Sequence, residues 1–220
     1  AKYMPDIEKP DEKPIARQGA ILALLTALKQ VCNHPTQFAK KGDANPALSG
    51  KSQFLFDLLD TILETDEKVL IFTQYAQMGE LLATMIKTTF GINAPFLHGG
   101  LSRDKRDEMV ENFQTKPNTR ILILSLKAGG TGLNLTAANH VVHYDLWWNP
   151  AVEAQATDRA YRIGQQRNVN VHRFISQGTM EEKIDKLIQS KRDLADMSVT
   201  TGESWLGDLS NKELKALVAL

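Results

Sequence analysis

From Lys68 onward the chain alternates short, uninterrupted apolar runs with longer stretches of helical periodicity, and few architectures tolerate that pattern. Val69-Leu70-Ile71-Phe72, Ala94-Pro95-Phe96-Leu97, Ile121-Leu122-Ile123-Leu124, Val141-Val142-His143-Tyr144 and Val169 to Ile175 read as strands. Gln77 to Phe90, Ser102 to Gln114 and Ala151 to Tyr161 read as the helices between them, Ser102 serving as a cap. A strand that is apolar throughout has to be covered on both faces, and strands separated by helices pair in parallel. The predicted fold is therefore α/β, a parallel sheet with helices on both faces. In such open sheets ligands sit beyond the carboxyl ends of the strands, so the polar residues that follow each strand are the ones to inspect.

The flanks are helical and lack strands. Residues 1–14 carry three prolines and many charges and read as an extended lead-in. Ile21, Leu22, Leu24, Leu25, Leu28 and Val31 recur at helical spacing, and Cys32-Asn33-His34-Pro35 ends that helix. Cys32 and His34 have no second ligand pair nearby, which favours capping and packing over metal binding. Lys40 to Gly50 is a polar loop, and Phe54, Leu55, Leu58, Leu59, Ile62 and Leu63 mark another amphipathic helix. Gly50-Lys51-Ser52 matches the tail of a phosphate-cradling loop, but the motif's first glycine would fall at Asn45 and no strand precedes it, so it is rejected as a nucleotide site. Thr179 to Ala195 is a charged amphipathic helix, and Ser210 to Leu220 a short final one whose Leu214, Leu217 and Val218 must pack on something. The expected organisation is a lead-in and helical segment over 1–50, the main lobe over 51–178 and C-terminal bracing helices over 179–220.

At 220 residues and 42% hydrophobic content the chain supports one sizeable core. Lys plus Arg and Asp plus Glu balance at 26 each, so any nucleic-acid site has to be a local patch. The single Cys32 excludes an internal disulfide framework, and with no signal pattern and no apolar run read as long enough to cross a bilayer, an intracellular, reducing compartment is expected.

The strand ends are rich in small donors: Thr73-Gln74-Tyr75, His98-Gly99-Gly100, Ser125 to Asn134, and Asp145 to Pro150. Within Ser125 to Asn134, glycines 129, 130 and 132 let the backbone approach an anion, its N–H groups can form a nest, and Ser125, Lys127 and Thr131 add side-chain donors. A tight turn explains one glycine well and three poorly. His98 taken singly is a turn histidine, and Trp147-Trp148 taken singly are core or packing surface.

Gln155, Arg159 and Arg162 fall on one stripe of the helix Ala151 to Tyr161 and its extension, at about 3.6 residues per turn. Arginine keeps its charge and offers a planar fork of donors, which suits phosphoryl chemistry. Asp158 and Arg162 are also spaced as an ordinary solvated ion pair, and on these residues alone that is the stronger reading.

Taken in order, Val69 to Gln74, His98-Gly99-Gly100 with Arg106, Ser125 to Asn134, Asp145 to Pro150 and Gln155 to Gln165 resemble the second RecA-like lobe of the Swi/Snf-type ATPases of helicase superfamily two. The likeness begins near Ile15, since a helix ending in Cys32-Asn33-His34-Pro35 is also similar to the family, and Arg162-Ile163-Gly164-Gln165 is highly specific. The resemblance implies a RecA-like lobe of a motor that uses ATP hydrolysis to translocate on double-stranded DNA. It implies that Arg159 and Arg162 reach the phosphates of ATP held by the first lobe, with Gln155 opening that motif. Gly130, Thr131, Gly132 and Asn134, with Asp158, match the region coupling nucleotide to DNA. Gln74, Arg106, Ser125, Lys127 and Trp148 fall in the family's DNA-facing motifs, where phosphate contacts position the motor without reading sequence.

The family's phosphate loop and acidic Mg2+-binding box belong to its first lobe and are not in this sequence, so ATP and Mg2+ are expected to be bound mainly there. The expected partners are double-stranded DNA, the first RecA-like lobe and a DNA-bound protein, in nucleoid or nucleus, and the chain alone is expected to be inactive in ATP hydrolysis. A non-catalytic nucleic-acid-binding or docking module is the alternative, and an RNA-strand-separating enzyme of the same superfamily a third reading.

Overall fold

The computed structural model describes residues 14–125, 133–161, 168–194 and 204–219. They divide into two compact units. The larger, Asn33–Trp147 with Ala151–Phe174, holds the sheet. Its strands are β1 (Val69–Thr73), β2 (Phe96–Leu97), β3 (Ile121–Ser125), β4 (His140–His143) and β5 (Asn170–Arg173), all parallel in the order β2-β3-β1-β4-β5. Register runs Val69 beside Ile121 and His140, and Thr73 beside Ser125.

The helices in chain order are α1 (Pro14–Asn33), α2 (Pro35–Ala39), α3 (Gly50–Glu64), α4 (Ala76–Phe90), α5 (Arg103–Thr115), α6 (Pro150–Thr157), α7 (Met180–Leu194) and α8 (Asn211–Val218). Alternation along β1 divides its side chains between two cores, because successive residues of a strand point to opposite faces. Val69 and Ile71 join Leu55 and Leu59 of α3 and Met78, Leu82 and Met85 of α4 on one face. Leu70 and Phe72 join Phe113 of α5 and Ala156 of α6 on the other. The parallel sheet covered on both faces is the architecture the apolar runs imply.

Element boundaries follow local chemistry. Ser102 caps α5 by accepting from the Lys105 N–H, and Ser49 caps α3 through Ser52. Gly91 ends α4 at φ 69°, the left-handed conformation a helix C-terminus favours. His34 caps α2: its Nδ1 accepts from the Thr36 N–H at 3.1 Å, which leaves Nε2–H to donate to the Asn45 carbonyl at 3.0 Å. The capping role expected of the Cys32 to Pro35 segment is thus performed by His34.

The second unit gathers the described residues up to Cys32, Trp148–Pro150 and those from Ile175 onward. Ile21 and Leu25 of α1, Met180 and Ile184 of α7, Leu206, and Leu214 and Leu217 of α8 form its core. Here the final helix finds its packing partners, and Ser210 and Glu213 close a reciprocal capping box at its start. The reading that no apolar run is long enough for a bilayer needs correction, because α1 satisfies that test by length and composition. Two of its polar side chains are nevertheless engaged within the unit: the Arg17 guanidinium donates to the Leu209 carbonyl at 2.7 Å and to Asn211 at 2.9 Å, and Gln18 donates to Asp208.

Candidate functional site

The carboxyl ends of β1, β3 and β4 converge because the strands are parallel and in register. Asp145, two residues beyond β4, is fully buried and organises this edge. Its Oδ2 accepts from the Thr73 hydroxyl at 2.5 Å and from Asn33 Nδ2 at 3.2 Å, while Oδ1 accepts from the Gln74 backbone N–H at 2.7 Å. The Thr73 hydroxyl also accepts from the Tyr75 N–H at 3.3 Å, so the chain leaving β1 is held by two successive amides. Gln74 is therefore fixed through its backbone, and its side chain is half-buried. Ser125, paired with Thr73 in the sheet, is buried, and Arg106 on α5 is half-buried.

The arginine segment departs from its expected geometry. α6 ends at Thr157, and Asp158 to Ala160 form a turn in which the Ala160 and Tyr161 N–H groups both reach the Thr157 carbonyl. The continuous helical stripe through Gln155 and Arg159 is corrected accordingly: Gln155 lies exposed on α6, whereas Arg159 sits in the turn and is only 6% exposed. Tertiary pairing explains the early stop, since the Arg159 carbonyl accepts from the Leu135 N–H at 3.0 Å. That bond sets Arg159 against the segment after the glycine-rich stretch, where Asn134 is exposed, as is Asp158. Leu135 and Arg159, remote in sequence, thus meet at one place. Lys127, Gly130, Thr131, Gly132 and Arg162 lie outside the described residues.

Trp148 is not presented to solvent. It is 5% exposed in the core of the smaller unit, with the Lys29 ammonium 4.6 Å from its ring centroid, a cation–π contact. A DNA-facing role for this ring is replaced by packing, because its apolar area is spent on Ile21, Leu25 and Met180. Sequence reasoning singled out Gln74 but not Asp145, which holds the Gln74 backbone, nor Asn33, which donates to Asp145. The signal for Asp145 was a carboxylate two residues beyond a fully buried strand, at the end where ligands bind.

Beneath α6, the His143 Nε2 pairs with the Thr157 hydroxyl at 3.0 Å while its ring stacks on Phe72. Burial, and then the positive charge of Arg173, push His143 down to about 4, so it is neutral at physiological pH. Among the described residues no group of three or more His, Cys, Asp or Glu is placed to hold a metal ion.

These features coincide with known proteins. Residues 50–164 match the family described as the helicase conserved C-terminal domain. YwqA of Bacillus subtilis, a proposed ATP-dependent helicase/translocase, is 52% identical over 207 residues, covering 93% of this chain and 22% of its own length. The chain thus spans about a fifth of the curated relatives it matches. The Sulfolobus solfataricus SWI2/SNF2 ATPase core in complex with double-stranded DNA superposes with a TM-score of 0.83 at 40% identity, over 100% of this chain and 47% of that one. The C-terminal domain of the Sulfolobus solfataricus SWI2/SNF2 ATPase gives a TM-score of 0.83 at 38% identity, over 100% of this chain and 89% of that one. A parallel RecA-like sheet, a turn that joins Arg159 to Leu135 and this coverage have one common explanation: the chain belongs to the helicase conserved C-terminal domain family, as the C-terminal RecA-like lobe of a Swi/Snf-type ATPase.

Proposed function

We propose that the chain is the second motor lobe of an ATP-dependent translocase or remodeller acting on double-stranded DNA. In this reading Arg159 and Arg162, with Gln155 opening their motif, reach the phosphates of a nucleotide held by a first RecA-like lobe, and Gly130, Thr131, Gly132, Asn134 and Asp158 couple that site to DNA. The observation that carries it is the Leu135 to Arg159 hydrogen bond, which seats a buried arginine beside the segment expected to sense nucleotide. A guanidinium aimed at a phosphoryl group stabilises the charge that develops during transfer. The metal is assigned to the first lobe together with the β and γ phosphates. Gln74, Arg106, Ser125 and Lys127 remain the proposed DNA-backbone contacts; Gln74 follows β1 and Ser125 ends the adjacent β3, as a surface tracking one phosphate path would require. The setting is intracellular and DNA-associated, with a DNA-bound protein as the object moved.

In the intact protein, duplex DNA should stimulate ATP hydrolysis, and Arg159→Ala or Arg162→Ala should abolish turnover while ATP binding persists. Near-normal turnover in both variants would remove them from the catalytic role. The 220-residue chain alone should have negligible ATPase activity, and robust DNA-stimulated turnover by it would overturn the division of labour between lobes. A binding module without catalysis predicts no ATP hydrolysis in the intact protein at all.

A further inference from the structure

A buried polar chain runs from the end of α1 to the strand ends. Asn33 is fully buried and its amide is used at both ends: Nδ2 donates to the Asp145 carboxylate at 3.2 Å, and Oδ1 accepts from the Lys51 ammonium at 3.2 Å. Its carbonyl accepts from the Ser49 hydroxyl at 2.7 Å and the Tyr144 hydroxyl at 2.9 Å. With the Tyr144 proton committed to that carbonyl, the Ser52 hydroxyl donates to Tyr144 at 2.8 Å. Ser52, Tyr144, Thr73 and Asp145 are all fully buried.

This arrangement is demanding, because a buried carboxylate and a buried ammonium are tolerated only when paired and hydrogen-bonded. The Asn33 amide stands between the two charges with its donor toward the anion and its acceptor toward the cation. Reversing the amide would set its oxygen against Asp145 and its NH2 against Lys51, so one orientation is fixed. Aspartate in its place would bring a second carboxylate to Asp145.

We propose that Asn33 is a positioning residue for DNA engagement: by orienting Asp145, it fixes the Gln74 backbone and the direction in which the chain leaves β1. The link continues through Asp145, whose other oxygen holds the Gln74 N–H. The proposal rests on the reading that Gln74 meets DNA, and it adds a connection from the end of α1 to that contact. A step that strains the α1 terminus would be felt at Gln74 through three hydrogen-bonding groups.

The test uses the intact protein, random-sequence duplex DNA, and the DNA concentration that half-saturates ATPase stimulation. Asn33→Ala should raise that concentration about tenfold, the loss of one hydrogen bond to a charged group. Gln74→Ala should raise it comparably, and the double variant should add nothing beyond Gln74→Ala, because both changes act on one contact. Effects that multiply, or a half-saturating concentration unchanged in Asn33→Ala, would overturn the proposal. Should Asn33→Ala fail to fold, Thr73→Val keeps the side-chain shape and removes one donor to Asp145. It is expected to raise the half-saturating concentration about threefold, and no change there would overturn the proposal equally. Wild-type protein with no DNA response would instead defeat the underlying functional reading, an outcome visible before any variant is made.

Discussion

Arg173 on β5 and Glu153 on α6 form an ion pair of 2.9 Å, and Glu153 is only 7% exposed. The pair ties the edge of the sheet to the helix that carries Gln155 and leads into the Arg159 turn. Arg173→Ala removes one counter-charge from a buried carboxylate and should cost about 1–3 kcal/mol. Chemical denaturation measures the loss, and Glu153→Gln in the same background should restore part of it by removing the buried negative charge. No recovery in the double variant would show that Arg173 acts mainly through its packing.

His143 gives a pH dependence whose sign is fixed. Its folded value, about 4, lies below the ordinary 6.5, so as acid is added the unfolded state takes the proton first. The stability contributed by neutral His143 is complete above pH 6.5, declines between there and about 4, and levels off below. The span corresponds to a loss on the order of 3 kcal/mol. His143→Gln should flatten the stability profile across this window, whereas an unchanged slope would assign the acid sensitivity to other groups. His172, lowered by burial and then by His140, keeps a smaller slope of the same sign in the variant.

Gly79 decides how closely α4 approaches β2. A methyl group there would lie 2.4 Å from the Phe96 ring, well inside contact distance. Alanine gains up to about 1 kcal/mol of helix propensity over glycine, whereas overpacking costs about 1–3 kcal/mol. Gly79→Ala should therefore lower the melting temperature, and Phe96→Leu in the same background should recover much of the loss by vacating the space. A more stable Gly79→Ala would mean that the ring swings aside freely.

Arg159→Lys separates charge from geometry. Lysine keeps the positive charge but loses the planar fork. Turnover in the intact protein is expected to fall about 100-fold, in the range seen when a transition-state donor is removed. Full turnover with lysine would show that charge alone suffices.

The sheet was legible because β1 and β3 are apolar at their first four positions, a pattern that a strand covered on both faces explains. The capped helices were legible for similarly local reasons, Ser102 and Ser210 standing before helical periodicity. The end of α6 was not, because Ala151 to Tyr161 contains no helix breaker and the stop comes from Leu135, which approaches only once the chain is folded. Trp148 was misplaced for a related reason: beside Trp147 in sequence, it belongs to the core formed by α1, α7 and α8. The short α2 was missed because five residues are too few to show periodicity, although Pro35 stands at its first position. Asn33 gave no signal, since its value lies in partners supplied by α3 and β4.

The central place of β1 in the sheet has a consequence for how the chain is made. Val69 pairs with Ile121 on one side and His140 on the other, so the strand has no partner when it leaves the ribosome and waits for both neighbours to be synthesised. Five consecutive core residues, Val69 to Thr73, are exposed to self-association during that interval. Non-local pairing of this kind slows folding at any given stability. Slower translation and low temperature should therefore improve recovery of folded protein more than stabilising substitutions on α8, which forms after the sheet's last strand has been made.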